Sequence, residues 1–334
     1  MKERFIKLWN EYFVKYRKYG SMVGYPLFYS FCLMVFASLT FPYDKLKERI
    51  VVSFNAEQRA SGGQQELQVD SVSGYWLTGL RMTGVTILTA PSEAGKPPSK
   101  LTVDDAEIRY SILPMLVGNS ELTFDVHAFG GEVTGSFGQH GKDKSVDVAI
   151  DAIDLGKMQP LSALIGVPIE GKLTGVVRLS MPEGKASKGS GQLSLESTGT
   201  AVGDGKAKLK GAVALPRLDI GTVTIGADAK DGVMKITKYT AGGKDLDLQG
   251  DGRITLREQF TDSLGDMQVR FRINDAYRSK NDLTKSLFGV PGSNAPALFE
   301  LADPKIKQSK RTDGSYAWTV RGPLSKLEFV PAAR

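Results

Sequence analysis

Residues 22–41, MVGYPLFYSFCLMVFASLTF, run for twenty positions without an Asp, Glu, Lys, Arg or His, and the uncharged window extends from Tyr19 to Tyr43. An α-helix rises ~1.5 Å per residue, so twenty residues span ~30 Å, the thickness of a bilayer's hydrocarbon core. Three readings compete for the stretch. A cleaved signal peptide has an apolar region of roughly 7 to 15 residues behind a short basic region. Here a twenty-residue arm comes first and the apolar run is longer, although Val35, Phe36 and Ala37 would be accepted as a cleavage site. A buried core helix is the third reading. The retained span is the expectation, with Met22, Leu27, Phe28, Phe31, Leu33, Met34, Val35, Phe36, Leu39 and Phe41 as its anchoring side chains.

The flanks orient the span. Lys2, Arg4, Lys7, Lys15, Arg17 and Lys18 precede it, and only Lys45, Lys47 and Arg49 follow closely. Cytoplasmic flanks carry the excess of Lys and Arg, so the N-terminus is expected in the cytoplasm and the body outside it. The arm also accounts for most of the chain's net charge of +6, because its six cations oppose only Glu3 and Glu11 and leave about +2 for the rest. A near-neutral body lacks the basic stripe that a nucleic-acid partner requires.

On a helical wheel Phe5, Ile6, Trp9, Tyr12, Phe13 and Tyr16 share one side of the arm, with Lys7, Glu11, Lys15 and Lys18 opposite. Such a helix lies along a membrane interface or packs against a partner helix on the same face. The single cysteine, Cys32, falls inside the span, so the body has no disulfide and no thiol chemistry, which favours a bacterial periplasm over a eukaryotic exterior.

Beyond Pro42 the periodicity reads as alternating. Leu122, Phe124, Val126 and Ala128 recur every second residue, as do Val146, Val148 and Ile150, Val223, Ile225 and Ala227, and Met267, Val269, Phe271 and Ile273. That is the period of strands with one buried face. Gly62-Gly63, Gly130-Gly131, Asp204-Gly205, Asp231-Gly232, Gly242-Gly243, Asp251-Gly252 and Asp313-Gly314 read as hairpin turns between alternating runs, which predicts a long antiparallel meander. Short helical turns are expected at 112–117, 158–167, 283–290 and 295–302, too few for the crossovers of a parallel sheet. The segments 91–100 and 182–191 read as solvated loops, the second able to separate two halves of the sheet. The expected fold is therefore mainly β: one N-terminal transmembrane helix, then an extended, twisted antiparallel sheet curled into a groove. An apolar face with no long helix to cover it must pack on a second sheet, curl, or meet lipid. Its aliphatic residues suit acyl chains and an ordinary sandwich core alike.

No catalytic chemistry is legible. His127 lies in a strand pattern and His140 near a turn, and neither has zinc-ligand spacing. There is no GxSxG elbow, P-loop, HExxH or dinucleotide fingerprint, and acidic residues such as Asp245 and Asp247 alternate as on a wet sheet face. No catalytic residue, cofactor or metal is expected, and the chain reads as a non-enzyme.

The runs FPYDKLKERI at 41–50, VSGYWLTGLRMTGVTI at 72–87, AEIRYSILPMLVGNSELTFDVHAFGGEVTGSF at 106–137, LSALIGVPIEGKLTG at 161–175 and the closing RGPLSKLEFVP resemble, in that order, the type II secretion protein N family (GspN), within the broader AsmA-like group. The resemblance covers nearly the whole chain and rests on Gly, Pro and aliphatic patterns. It implies a protein of the Gram-negative inner membrane, with a cytoplasmic arm at 1–21, a span at 22–41 and a periplasmic β domain at 42–334. It further implies a place among the components of type II protein secretion. AsmA-like relatives are associated with lipid transport through a hydrophobic groove, which gives a competing reading as a lipid-binding or lipid-transfer protein. Inner-membrane lipids are the partner common to both.

Overall fold

The computed structural model of the chain describes residues 22–60, 63–76, 78–90, 99–115, 117–159, 161–162, 167–206, 208–209, 213–293 and 297–332. The arm carrying Phe5, Trp9, Tyr12, Phe13 and Tyr16 lies outside them.

Helix α1 (Met22–Thr40) is long and apolar enough to cross a membrane, and none of it is buried by the rest of the chain. Leu27, Phe28, Leu33, Phe36 and Leu39 each expose more than half of their surface. Exposed apolar surface of that extent marks a membrane or partner contact. Phe41 leaves the helix, and its ring packs on Tyr43 at 5.0 Å between centroids.

A second helix, α2 (Tyr43–Ala60), occupies a stretch where the alternating reading places none. Its inward stripe is Tyr43, Leu46, Lys47, Ile50, Val51, Phe54, Asn55 and Gln58, a three-and-four spacing that identifies an amphipathic helix. The run Ile50-Val51-Val52 imitates a strand, and the polar members of the stripe blur its period. The helix borders the first edge of the sheet. Asn55 donates from Nδ2 to the carbonyl of Leu67 (3.3 Å) and accepts the Leu67 N–H at Oδ1 (2.8 Å), bonding the edge backbone as a neighbouring strand would. Lys47 reaches the carbonyl of Asp70 at 3.2 Å.

The first strands are β1 (Gln65–Gln68), β2 (Ser71–Tyr75), β3 (Gly79–Thr89), β4 (Ser99–Tyr110), β5 (Asn119–Ala128) and β6 (Gly131–His140). Then come β7 (Asp143–Asp154), β8 (Ile169–Met181), β9 (Ser190–Val202), the short β10 (Lys208–Leu209) and β11 (Val213–Ala214), and β12 (Leu218–Lys230). The last are β13 (Val233–Gly242), β14 (Leu246–Thr255), β15 (Leu264–Ile273), β16 (Tyr316–Pro323) and β17 (Glu328–Pro331). Fifteen of them form one antiparallel sheet in sequence order, with β1 and β2 sharing an edge of β3 and a β10–β11 hairpin set aside between β9 and β12. The terminal strands do not pair with each other, so the sheet is open.

The meander follows from tight turns. Asp231 and Gly232 join β12 to β13 with φ of 50° and 76°, the conformation a two-residue hairpin demands. Not all of the expected turns are hairpin turns: Asp251-Gly252 lies inside β14, Gly63 follows α2, and Asp204-Gly205 leads from β9 to β10, which do not pair. The 182–191 segment does not divide the sheet. It forms two 3-10 turns, buries Ala186 and bonds the β12–β13 turn through Gly232 N–H to the Gly189 carbonyl, while β8 and β9 pair throughout. Register shifts in β7, β8 and β12 bring bulges to neighbouring positions, and bulged strands bend and twist more strongly.

Short helices gather near the C-terminus: α3 (Ile112–Met115) stands apart, whereas α4 (Asp275–Arg278), α5 (Asp282–Phe288), α6 (Leu298–Ala302) and α7 (Pro304–Ser309) follow β15. Asn281 and Thr284 form a reciprocal capping box that starts α5.

Candidate functional site

Cross-strand partners share a face, so the register assigns every strand residue to one of two surfaces. Phe124 pairs with Ile108, Val146 with Phe137 and Leu179, Leu195 with Ile225, Ala241 with Leu248, and Phe271 with Tyr316. One apolar face thus continues across the whole sheet, from Leu67 on β1 to Phe329 on β17. The opposite face is polar and laced by cross-strand pairs such as Arg178–Asp147 and Arg272–Asp247, each at 3.2 Å. Both partners of these pairs are exposed, so each contributes little stability.

The apolar face is covered unevenly. At the C-terminal end the chain covers it with its own helices. Leu218, Leu246 and Ile273 are buried together with Tyr277, Leu287 and Phe288, and Phe299 packs alongside. Tyr277 is fully buried, and its hydroxyl donates to the Pro216 carbonyl at 2.6 Å. Burial, reinforced by the Asp245 charge, pushes that phenol well above its ordinary pKa. Tyr316 is raised for the same first reason, and its hydroxyl donates to the buried Glu300, which also accepts from Lys310 at 2.6 Å. A second cluster lies under Ala186 and Leu256, which cover Ala227, Ala229, Met234 and Ile236.

Between β4 and β9 the same face stays partly exposed. Val126, Val133, Val146, Val148, Ile150, Val177 and Leu195 are all intermediate in burial. Tyr110 and Phe137 are exposed outright, Phe137 at 47%, although its ring stacks on Phe124 at 5.4 Å. Two glycines on this face make room for a neighbour's side chain. A Cβ on Gly135 would stand 2.6 Å from Phe124 Cζ, and one on Gly175 would stand 2.5 Å from Leu195 Cδ2. The result is a broad strip of aliphatic and phenyl groups, and none of its apolar row residues is charged.

The anchoring residues proposed from sequence lie together on α1, apart from Phe41 just beyond it, and do not touch this strip. The apolar face is legible in the alternation of β5, β7, β12 and β15, but its covered end is not, because burial there depends on helices brought from 275–309. His127 sits on the polar face of β5, 48% exposed, and His140 ends β6. Comparison with protein-family models, with curated proteins and with solved structures returns no match to this chain.

Proposed function

We propose that the chain is a membrane-anchored, non-enzymatic lipid-handling protein whose open apolar strip, between β4 and β9, shields acyl chains. One observation carries this reading: a single apolar face runs through all fifteen strands, yet among the described residues its stretch from Val126 to Leu195 is only partly covered, while the helices after β15 bury its C-terminal end. Leaving so much contiguous apolar surface in water is unfavourable by ~25 cal/mol per Å², which an apolar ligand would offset. α1 and α2 supply the route, since α2 follows the membrane helix directly and borders the first strand.

The excess of Lys and Arg before α1 supports an N-terminus in the cytoplasm and a body in the periplasm of a Gram-negative cell. The ordered resemblance to the type II secretion protein N family supports a place beside that machinery, and the two roles are compatible. Purifying the full chain in mild detergent and analysing extracted lipid by mass spectrometry tests the first role. Phospholipid retained in stoichiometric amount supports it, and a lipid-free protein refutes it. Deleting the gene and measuring export of a secreted hydrolase tests the second. Unchanged export, with the other secretion components expressed normally, would sink a required role.

A further inference from the structure

On most of the polar face, carboxylates meet cations across the strands. Asp147 faces Arg178, Asp247 faces Arg272, and Asp266 lies between Arg253 and Arg321. Around His127 the register does the opposite. Glu107 faces Asp125, and Glu132 faces Asp151. Like charges directly opposite one another on a sheet are destabilising. Arg81 serves Asp105 at 3.2 Å and Glu107 at 3.4 Å, but among the described residues no Lys or Arg pairs with Asp125, Glu132 or Asp151.

His127 stands in the middle of this acidic patch, with Asp105 as its cross-strand partner on β4 and Glu132 on β6. Its Nδ1 is 3.5 Å from Asp105 Oδ1 and 3.6 Å from Asp125 Oδ1. Asp125 and His127 are two apart on β5 and therefore point to one side. Asp125 Oδ1 is shut off from solvent and has no hydrogen-bond partner, an orphaned acceptor in a region already short of positive charge. One potential ligand atom each from Asp125, His127 and Glu132 lie within 4.8 Å of one another.

We propose that Asp125, His127 and Glu132 bind a divalent transition-metal ion, with Zn²⁺ the best match to one imidazole and two carboxylates. Zn²⁺ takes such ligands at ~2.0–2.2 Å in tetrahedral geometry, which brings ligand atoms to roughly 3.4 Å apart. The backbone places the three close together: His127 pairs with Glu132 across the ladder, and Asp125 lies two residues before His127 on the same side. The ion offsets the like-charge pairing and satisfies the orphaned Asp125 oxygen. It also ties β5 to β6 next to the turn at Phe129 and Gly130, so its role is structural.

The test uses the full chain in detergent after chelator treatment, titrated with Zn²⁺ by calorimetry and with Co²⁺ by visible absorption. One ion per chain and a rise in melting temperature with Zn²⁺ are expected. His127→Ala and Glu132→Gln should each weaken binding by about tenfold or more, the scale on which lost metal-site groups act, whereas His140→Ala should bind like the parent. The proposal is overturned if the parent chain binds no Zn²⁺ or if affinity is unchanged in His127→Ala. Equal loss in His140→Ala would also overturn it, since that would mark non-specific surface binding. Far-ultraviolet circular dichroism of each variant before titration confirms that the sheet is intact.

Discussion

Placing a carboxylate on the apolar face separates an open strip from a closed core. Phe137 and Leu246 lie on the same face of the same sheet, but Phe137 is 47% exposed and Leu246 only 7%. In Phe137→Asp the ring gives up about half of a ~3 kcal/mol burial term and a stacking contact with Phe124 worth ~0.5–1.5 kcal/mol, while the new charge can stay hydrated. The expected loss is about 2 kcal/mol. Leu246→Asp removes a side chain buried beneath Tyr277, Leu287 and Phe288, which costs ~2–5 kcal/mol for the lost volume before the buried charge is added. Thermal unfolding of the full chain, followed by circular dichroism, compares the two at ~2–4 °C per kcal/mol. Leu246→Asp should lower the midpoint by at least twice as much as Phe137→Asp. Equal losses would mean that the Phe137 region is packed like a core, and the reasoning about an open strip would fail.

Other expected outcomes follow from individual contacts. Asn55→Ala removes both bonds to the Leu67 backbone and frees the first sheet edge, so it should cost about 1–3 kcal/mol and raise self-association in analytical ultracentrifugation. Tyr277→Phe leaves the Pro216 carbonyl without its donor in a buried setting and should lower stability by about 1–3 kcal/mol with the fold unchanged. The Lys188 and Lys185 ammonium groups hold Glu183 down to about 2, and the Ser315 hydroxyl and N–H, with Arg270, hold Asp313 down to about 2. A depressed carboxylate stabilises the fold above its unfolded pKa, and the stability is lost as pH falls through the folded value. Stability should therefore decline between about pH 4.5 and 2, and Glu183→Gln with Asp313→Asn should flatten that decline in acid titrations.

The sheet was legible wherever one face alternates cleanly. On β15, Met267, Val269, Phe271 and Ile273 alternate without a break, and Asp231-Gly232 marks the β12–β13 hairpin. What is not legible depends on tertiary partners. The inward stripe of α2 includes Lys47 and Asn55, polar side chains that make sense only against the exposed backbone of β1 and β2, so the amphipathic period is hidden. Asp251-Gly252 carries a turn dipeptide, yet the pairing of β14 with β15 continues through it and overrides the local preference. The 182–191 stretch looks soluble by composition because its one buried side chain is an alanine. The His127 cluster draws ligands from two strands, and the side chains that surround it come from a third, so no spacing within one stretch of sequence announces it.

The central claim concerns what covers the strip between β4 and β9. A photoreactive phenylalanine analogue at Phe137, introduced into the full chain in its native membrane, is the most direct probe, with the same analogue at Phe288 under the C-terminal helices as the comparison. Irradiation followed by lipid detection on the purified protein should give a phospholipid adduct at Phe137 and none at Phe288. Adducts only to protein at Phe137, or equal lipid labelling at both positions, would contradict the account.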